Sequence, residues 1–113
     1  MADQRFQGPV VDNDLEQTLT LVKDQTCHLF SVAIDIEDSA EQYLGLFDAA
    51  ATSDVTLGTT APNYWVSVAS GGLKDVQFNP PLRFKKGLVY SYVTQPDGST
   101  GPTNHGHLAY GYR

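Results

Sequence analysis

Cysteine occurs once, at Cys27, which excludes an internal disulfide and every multi-cysteine zinc motif. Basic residues are also scarce. Seven Lys and Arg stand against thirteen Asp and Glu, a net charge of -6, and the densest basic stretch is "RFKK" from Arg83 to Lys86. Gripping a phosphate backbone takes a basic stripe that releases counterions, so nucleic acid is not an expected partner. No apolar run approaches the roughly 20 residues that cross a bilayer. The opening "MADQRFQGPV" has neither the basic start nor the apolar centre of a secretory signal. The expectation is therefore no membrane partner and synthesis in the cytoplasm. Glycine-lysine phosphate loops, G-x-S-x-G and G-x-G-x-x-G are all missing, which removes the common phosphate-binding and hydrolase motifs.

Apolar residues make up 41% of the 113 positions and charged residues only 18%, enough for one core and too short for two domains. The start is different in character. "MADQRFQGPVVDNDLEQ" is polar and acidic, and it reads as an N-terminal arm over 1–17 preceding a single domain over 18–113. Such an arm offers too little apolar area to order alone. Phe6, Val10, Val11 and Leu15 are its candidate anchors on a partner surface, with Asp3, Asp12 and Asp14 facing a basic groove.

The rest is written in period two, the signature of strands. "LEQTLTLVK" alternates better than it coils. Phe30, Val32, Ile34 and Ile36 form one face of a central strand over 26–36, and Leu29, Ser31, Ala33 and Asp35 the other. Cys27 alternates with apolar neighbours as a small buried residue, and His28 beside it points to the opposite face. In "QYLGLFDAA", Gly45 weakens a strand unless a ring packs over it. "AATSDVTLGTTAPN" reads as a surface connection between sheets. Gly71-Gly72 makes a tight turn, "NPP" ends pairing because proline gives no ladder donor, and "LRFKKGLVYSYVT" turns a corner into another strand. "QPDGSTGPTNHG" is a polar loop, and "HLAYGYR" places Leu108, Tyr110 and Tyr112 in phase. Seven or eight short strands at regular spacing predict an all-β antiparallel sandwich, jelly-roll or immunoglobulin-like.

Three groups of residues invite a chemical reading. His105 and His107 are two apart, as metal ligands on one strand face are, but a metal site needs at least a third ligand and none is marked. They read as loop histidines, and no metal or cofactor is expected. Asp35, Glu37, Asp38 and Glu41 crowd one strand end without the spacing of a calcium loop, and read as a solvated turn. Tyr64, Trp65, Tyr90, Tyr92, Tyr110 and Tyr112 could stack on carbohydrate, but suit sheet faces and core better.

One run adds a resemblance. A strand ending in Leu46-Phe47-Asp48 is followed by a Thr-rich link to Pro62, then by a strand with Val66 and Val68, Gly71-Gly72, and a strand to Phe78. Pro81, Phe84 and Gly87-Leu88 with Tyr90 complete it. In this order the chain resembles the small β-sandwich structural proteins of tailed bacteriophages, over about 19–113. The resemblance implies a non-enzymatic virion protein, foremost a capsid decoration or cement protein carried in many copies on the major capsid protein. It also implies homo-oligomerisation, a place in the virion, and no catalytic residue to carry over. A tail, baseplate or head-fibre adhesin that binds host glycan is the alternative, and a small glycan hydrolase using the Asp35–Glu41 carboxylates is a third. The acidic start and the histidine-containing last loop depart from the pattern, which leaves the attachment surface open.

Overall fold

The alternating runs form eight strands in a computed structural model that describes residues 7–96 and 98–113. In chain order they are β1 (Gln7–Leu15), β2 (Thr20–Lys23), β3 (Cys27–Asp35), β4 (Gln42–Asp48), β5 (Tyr64–Val68), β6 (Leu73–Phe84), β7 (Leu88–Val93) and β8 (Gly106–Tyr112). They make two antiparallel four-stranded sheets, ordered β1-β8-β3-β6 and β2-β7-β4-β5. Only β4 and β5 are both consecutive and paired; every other connection crosses from one sheet to the other. That order is a double-sheet jelly roll, which decides between the two sandwich types the sequence allowed.

β1 corrects the expected arm. Residues 7–15 pair with β8, from Gln7 opposite Tyr112 to Leu15 opposite Gly106, and Leu15 is fully buried in the core. The polar composition misleads because β1 is an edge strand: it satisfies its backbone on β8 and needs few apolar side chains of its own. Of the proposed anchors, Leu15 is core, Val10 packs against the core, Val11 is 58% exposed, and Phe6 lies outside the described residues.

β3 is central, bonded to β8 and β6, but its faces change phase. Leu29 pairs with Tyr112 and Ser31 with Gly111, so two steps on β3 match one on β8. This bulge at Phe30 puts Cys27 and Leu29 on the same inner face as Val32, Ile34 and Ile36. Phe30 is thereby removed from the core face to which strict alternation assigns it, and the Arg113 guanidinium lies 5.4 Å from its ring centroid.

The core between the sheets joins these residues to Leu44, Leu46, Val66, Val68, Phe84, Leu88, Tyr90, Tyr92, Leu108 and Tyr110. β7 is buried on both faces, because Val89 on its outer side joins Phe47, Ala49 and Val55 in a second small cluster with Leu19 and Leu57. The connection over 50–63 therefore links two strands of one sheet, rather than two sheets, and roofs that cluster. The Phe47 ring lies over Gly45, with ring atoms 3.2 and 3.4 Å from where a Cβ would stand, as the mid-strand glycine demanded. The prolines interrupt pairing without ending it. The β6–β3 ladder stops at Gln77 opposite Ser31 and resumes at Leu82 opposite Leu29, a break an edge strand tolerates.

Candidate functional site

At one end of the sandwich, the last residues of β1 meet the first of β8. Leu15 opposes Gly106, and Gly106 is glycine for want of space: a Cβ would stand 3.2 Å from Leu15 Cδ2 and 3.3 Å from Tyr92 Cε2. Because Leu15 points inward, Asp14 and Glu16 on either side of it point outward together. His105, just before Gly106, faces them. Its Nδ1 is 2.6 Å from Asp14 Oδ1 and 3.9 Å from Glu16 Oε1, and one ligand atom from each of the three lies within 4.8 Å of the others.

The backbone beneath this trio is tied on every side. The Tyr92 N–H donates to Glu16 O at 3.1 Å and the Ser91 hydroxyl to Gln17 O at 2.6 Å, so the β1–β2 connection is held to β7. On the other side, Asn104 donates through its backbone N–H (3.1 Å) and Nδ2 (3.4 Å) to Asp38 Oδ1. Asp38 is 5% exposed and also accepts from the Tyr92 hydroxyl at 3.4 Å. Burial, followed by the neighbouring Asp38 charge, raises the Tyr92 pKa and keeps the phenol a donor. Beside the trio opens a cavity of about 290 Å³ lined by Leu15, Glu16, Gln17 and residues 101–105.

The carboxylates that crowd together in sequence part company in the structure. Asp38 turns inward as described, Glu41 accepts from the Tyr43 hydroxyl at 2.6 Å, and Asp35 and Glu37 are exposed. His107 stays on the outer face of the first sheet, opposite Asp35, whereas His105 joins β1. The six aromatics divide likewise. Tyr90, Tyr92 and Tyr110 are core, while Tyr64 (47% exposed) and Trp65 (54%) face opposite sides of edge strand β5. Tyr64 meets Phe84 edge to face at 6.1 Å between centroids. The Asp14–Glu16–His105 trio is not legible in the sequence, because its partners lie about ninety positions apart and residues 1–17 have the polar composition of an arm. Alternation in β1 is itself broken: Val10 and Leu15 face the core and Val11 faces outward, because the β1–β8 register shifts between Asp12 and Leu15.

A second feature is the outer face of the first sheet. In register across it run Val11, Ala109, Ala33 and Asp75, then His107, Asp35 and Leu73. The alanines leave a shallow floor between Val11 and Leu73, which are 58% and 73% exposed, and a depression of about 200 Å³ sits there. A third feature is a corner cavity of about 400 Å³ on the second sheet, bordered by Asp48, Asp54, Thr60, Asn63 and Lys86. Its polar groups are partly engaged: Asp48 accepts the Lys85 and Lys86 N–H groups at 3.2 and 2.7 Å, and Asn63 Oδ1 accepts the Asp48 N–H at 2.8 Å. Compared with known proteins, the chain matches no family model, no curated protein and no solved structure.

Proposed function

We propose that this protein is a structural component of a tailed-bacteriophage virion, foremost a decoration or cement protein that binds the capsid lattice in many copies. The observation that carries the reading is the outer face of the first sheet. Val11 and Leu73 stand exposed on either side of Ala33 and Ala109, with Asp35, Asp75 and His107 among them, a shallow face of apolar and charged groups on a rigid support, which suits a protein acting by contact. The run from Leu46 to Tyr90 that resembles phage sandwich proteins supplies the setting. The jelly roll agrees by analogy only, since capsid and lectin domains both use it. The reading assigns no catalytic residue and no cofactor, and it takes the major capsid protein, or another virion protein, as partner.

Trp65 favours a second reading, a glycan-binding adhesin. It is 54% exposed on an edge strand, opposite Gly45 and on the same outer face as the Phe47 ring that covers that glycine, an aromatic platform on which a sugar ring can stack. The two readings separate by location. Density for this chain on heads in an image of intact virions is the expected result; density confined to tail or fibre would replace the decoration reading with the adhesin. A chain missing from virions altogether would remove both.

A further inference from the structure

We propose that Asp14, Glu16 and His105 form a binding site for a divalent transition metal ion of the zinc type, which clips the end of β1 to the start of β8. The inference is independent of the virion reading. It rests on donor chemistry, placement and support. One imidazole nitrogen and two carboxylate oxygens are a mixed set that suits zinc and its neighbours; calcium and magnesium take oxygen alone. Zinc holds such ligands at about 2.0–2.2 Å, so tetrahedral neighbours sit about 3.3 Å apart. The observed separations of 2.6 Å to Asp14 and 3.9 Å to Glu16 straddle that value. The side chains are 59%, 71% and 45% exposed for His105, Asp14 and Glu16, and their ligand atoms, all within 4.8 Å of one another, are free to close on an ion by rotamer adjustment.

What separates this trio from an ordinary surface ion pair is the backbone under it. A flexible surface cluster must order two chain segments before it can chelate, at roughly 1–2 kcal/mol per residue. Here the segments are fixed before any ion arrives. Leu15, fully buried, pins the residue between the two carboxylates. β7 holds the carbonyls of Glu16 and Gln17, and the buried Asp38 holds Asn104 next to His105. Three protein ligands leave a fourth position, and Glu16 and His105 both border the 290 Å³ cavity where a water could complete it.

The test uses the full chain, free of any affinity tag, titrated with zinc chloride in a non-chelating buffer and followed by calorimetry and thermal melting. One ion per chain and a raised melting midpoint are expected. His105→Ala, and separately Asp14→Asn with Glu16→Gln, should weaken binding at least about tenfold, whereas His107→Ala should leave it unchanged. Cobalt(II) gives a readout that needs no variant: bound to the unsubstituted chain it should show the visible absorption of a four-coordinate ion, lost on adding excess zinc. Non-saturable zinc binding, an unaltered affinity in His105→Ala, or no cobalt spectrum would overturn the site. So would calcium binding as tightly as zinc, since that would leave only an acidic surface.

Discussion

Tyr90 joins the two sheets through one hydroxyl. It donates to Asp12 Oδ2 at 2.6 Å, linking β7 of the second sheet to β1 of the first, while its ring meets Tyr110 edge to face at 5.7 Å. Burial, and then the bond to Asp12, raises the phenol's pKa and keeps the proton on the tyrosine. Tyr90→Phe leaves Asp12 without this donor, and loss of a hydrogen bond to a charged group costs about 1.5–3 kcal/mol; urea unfolding measures it, and a change below about 0.5 kcal/mol would show that water replaces the bond. Cys27 gives a second test. Burial pushes its thiol up to about 11, against a smaller opposing pull from Lys23. Only the thiolate reacts, so a disulfide reagent at pH 8 should modify Cys27 no faster than the chain unfolds. The linkage has a definite sign: the unfolded thiol ionises first, so this contribution is complete below pH 9 and declines as pH rises towards about 11. Cys27→Ala should lack that part of the alkaline loss.

At the scale of the element, β1 and the β6–β7 corner carry the sharpest expectations. Leu15→Ala should cost about 2–5 kcal/mol, as large-to-small core changes do; a loss too small to resolve in a denaturant melt would return residues 7–15 to the status of an arm. Gly87 has φ +153°, and a Cβ there would collide with the carbonyls of Lys23 and Ala49. Gly87→Ala should therefore destabilise by more than the roughly 1 kcal/mol of an ordinary glycine substitution, read as a lowered melting midpoint. These elements also show what the sequence could disclose. Period two located β3, β4, β7 and β8 and the ring over Gly45, because each has a buried inner face that the code of alternation records. Alternation misplaces Phe30, because a bulge leaves no mark in composition. It does not disclose β1, because a strand paired along one edge draws its order from backbone bonds, which every sequence can make. The Asp14–Glu16–His105 trio depends on that strand and was hidden with it.

Over the whole molecule, charge is unevenly spread. Lys23, Arg83, Lys85, Lys86 and Arg113 gather where β2, β6 and β8 end and β7 begins, interleaved with Asp24, Asp48 and Asp54, whereas Asp14, Glu16, Asp35, Glu37 and Glu41 gather at the opposite end with Lys74. Imidazole chemistry senses the basic end: burial first, then Arg113, Arg83 and Lys23, lower the His28 pKa. For the proposed virion role two modes of attachment come into question, end to end through opposite charges or side-on through the Val11–Leu73 face, and they respond differently to salt and substitution. The screening length falls from about 10 Å at 0.1 M salt to about 3 Å at 1 M, so an end-to-end contact between exposed charges should weaken at least about tenfold over that range. A contact made by the Val11–Leu73 face gains from apolar burial and should change less than about threefold. Three of the four sheet edges argue for the face as well, β5 being the one without such features. β6 is broken at Pro80 and Pro81, β1 carries Pro9 with Asp12 and Asp14, and β2 has four residues, devices that discourage strand addition. The expected result is that Val11→Asp with Leu73→Asp keeps the melting midpoint, because both side chains are exposed, yet lowers binding to empty capsids by about tenfold or more. Co-sedimentation at the two salt concentrations measures both effects together. Binding that collapses in salt and ignores the double substitution would move the attachment surface from the sheet face to the charged ends.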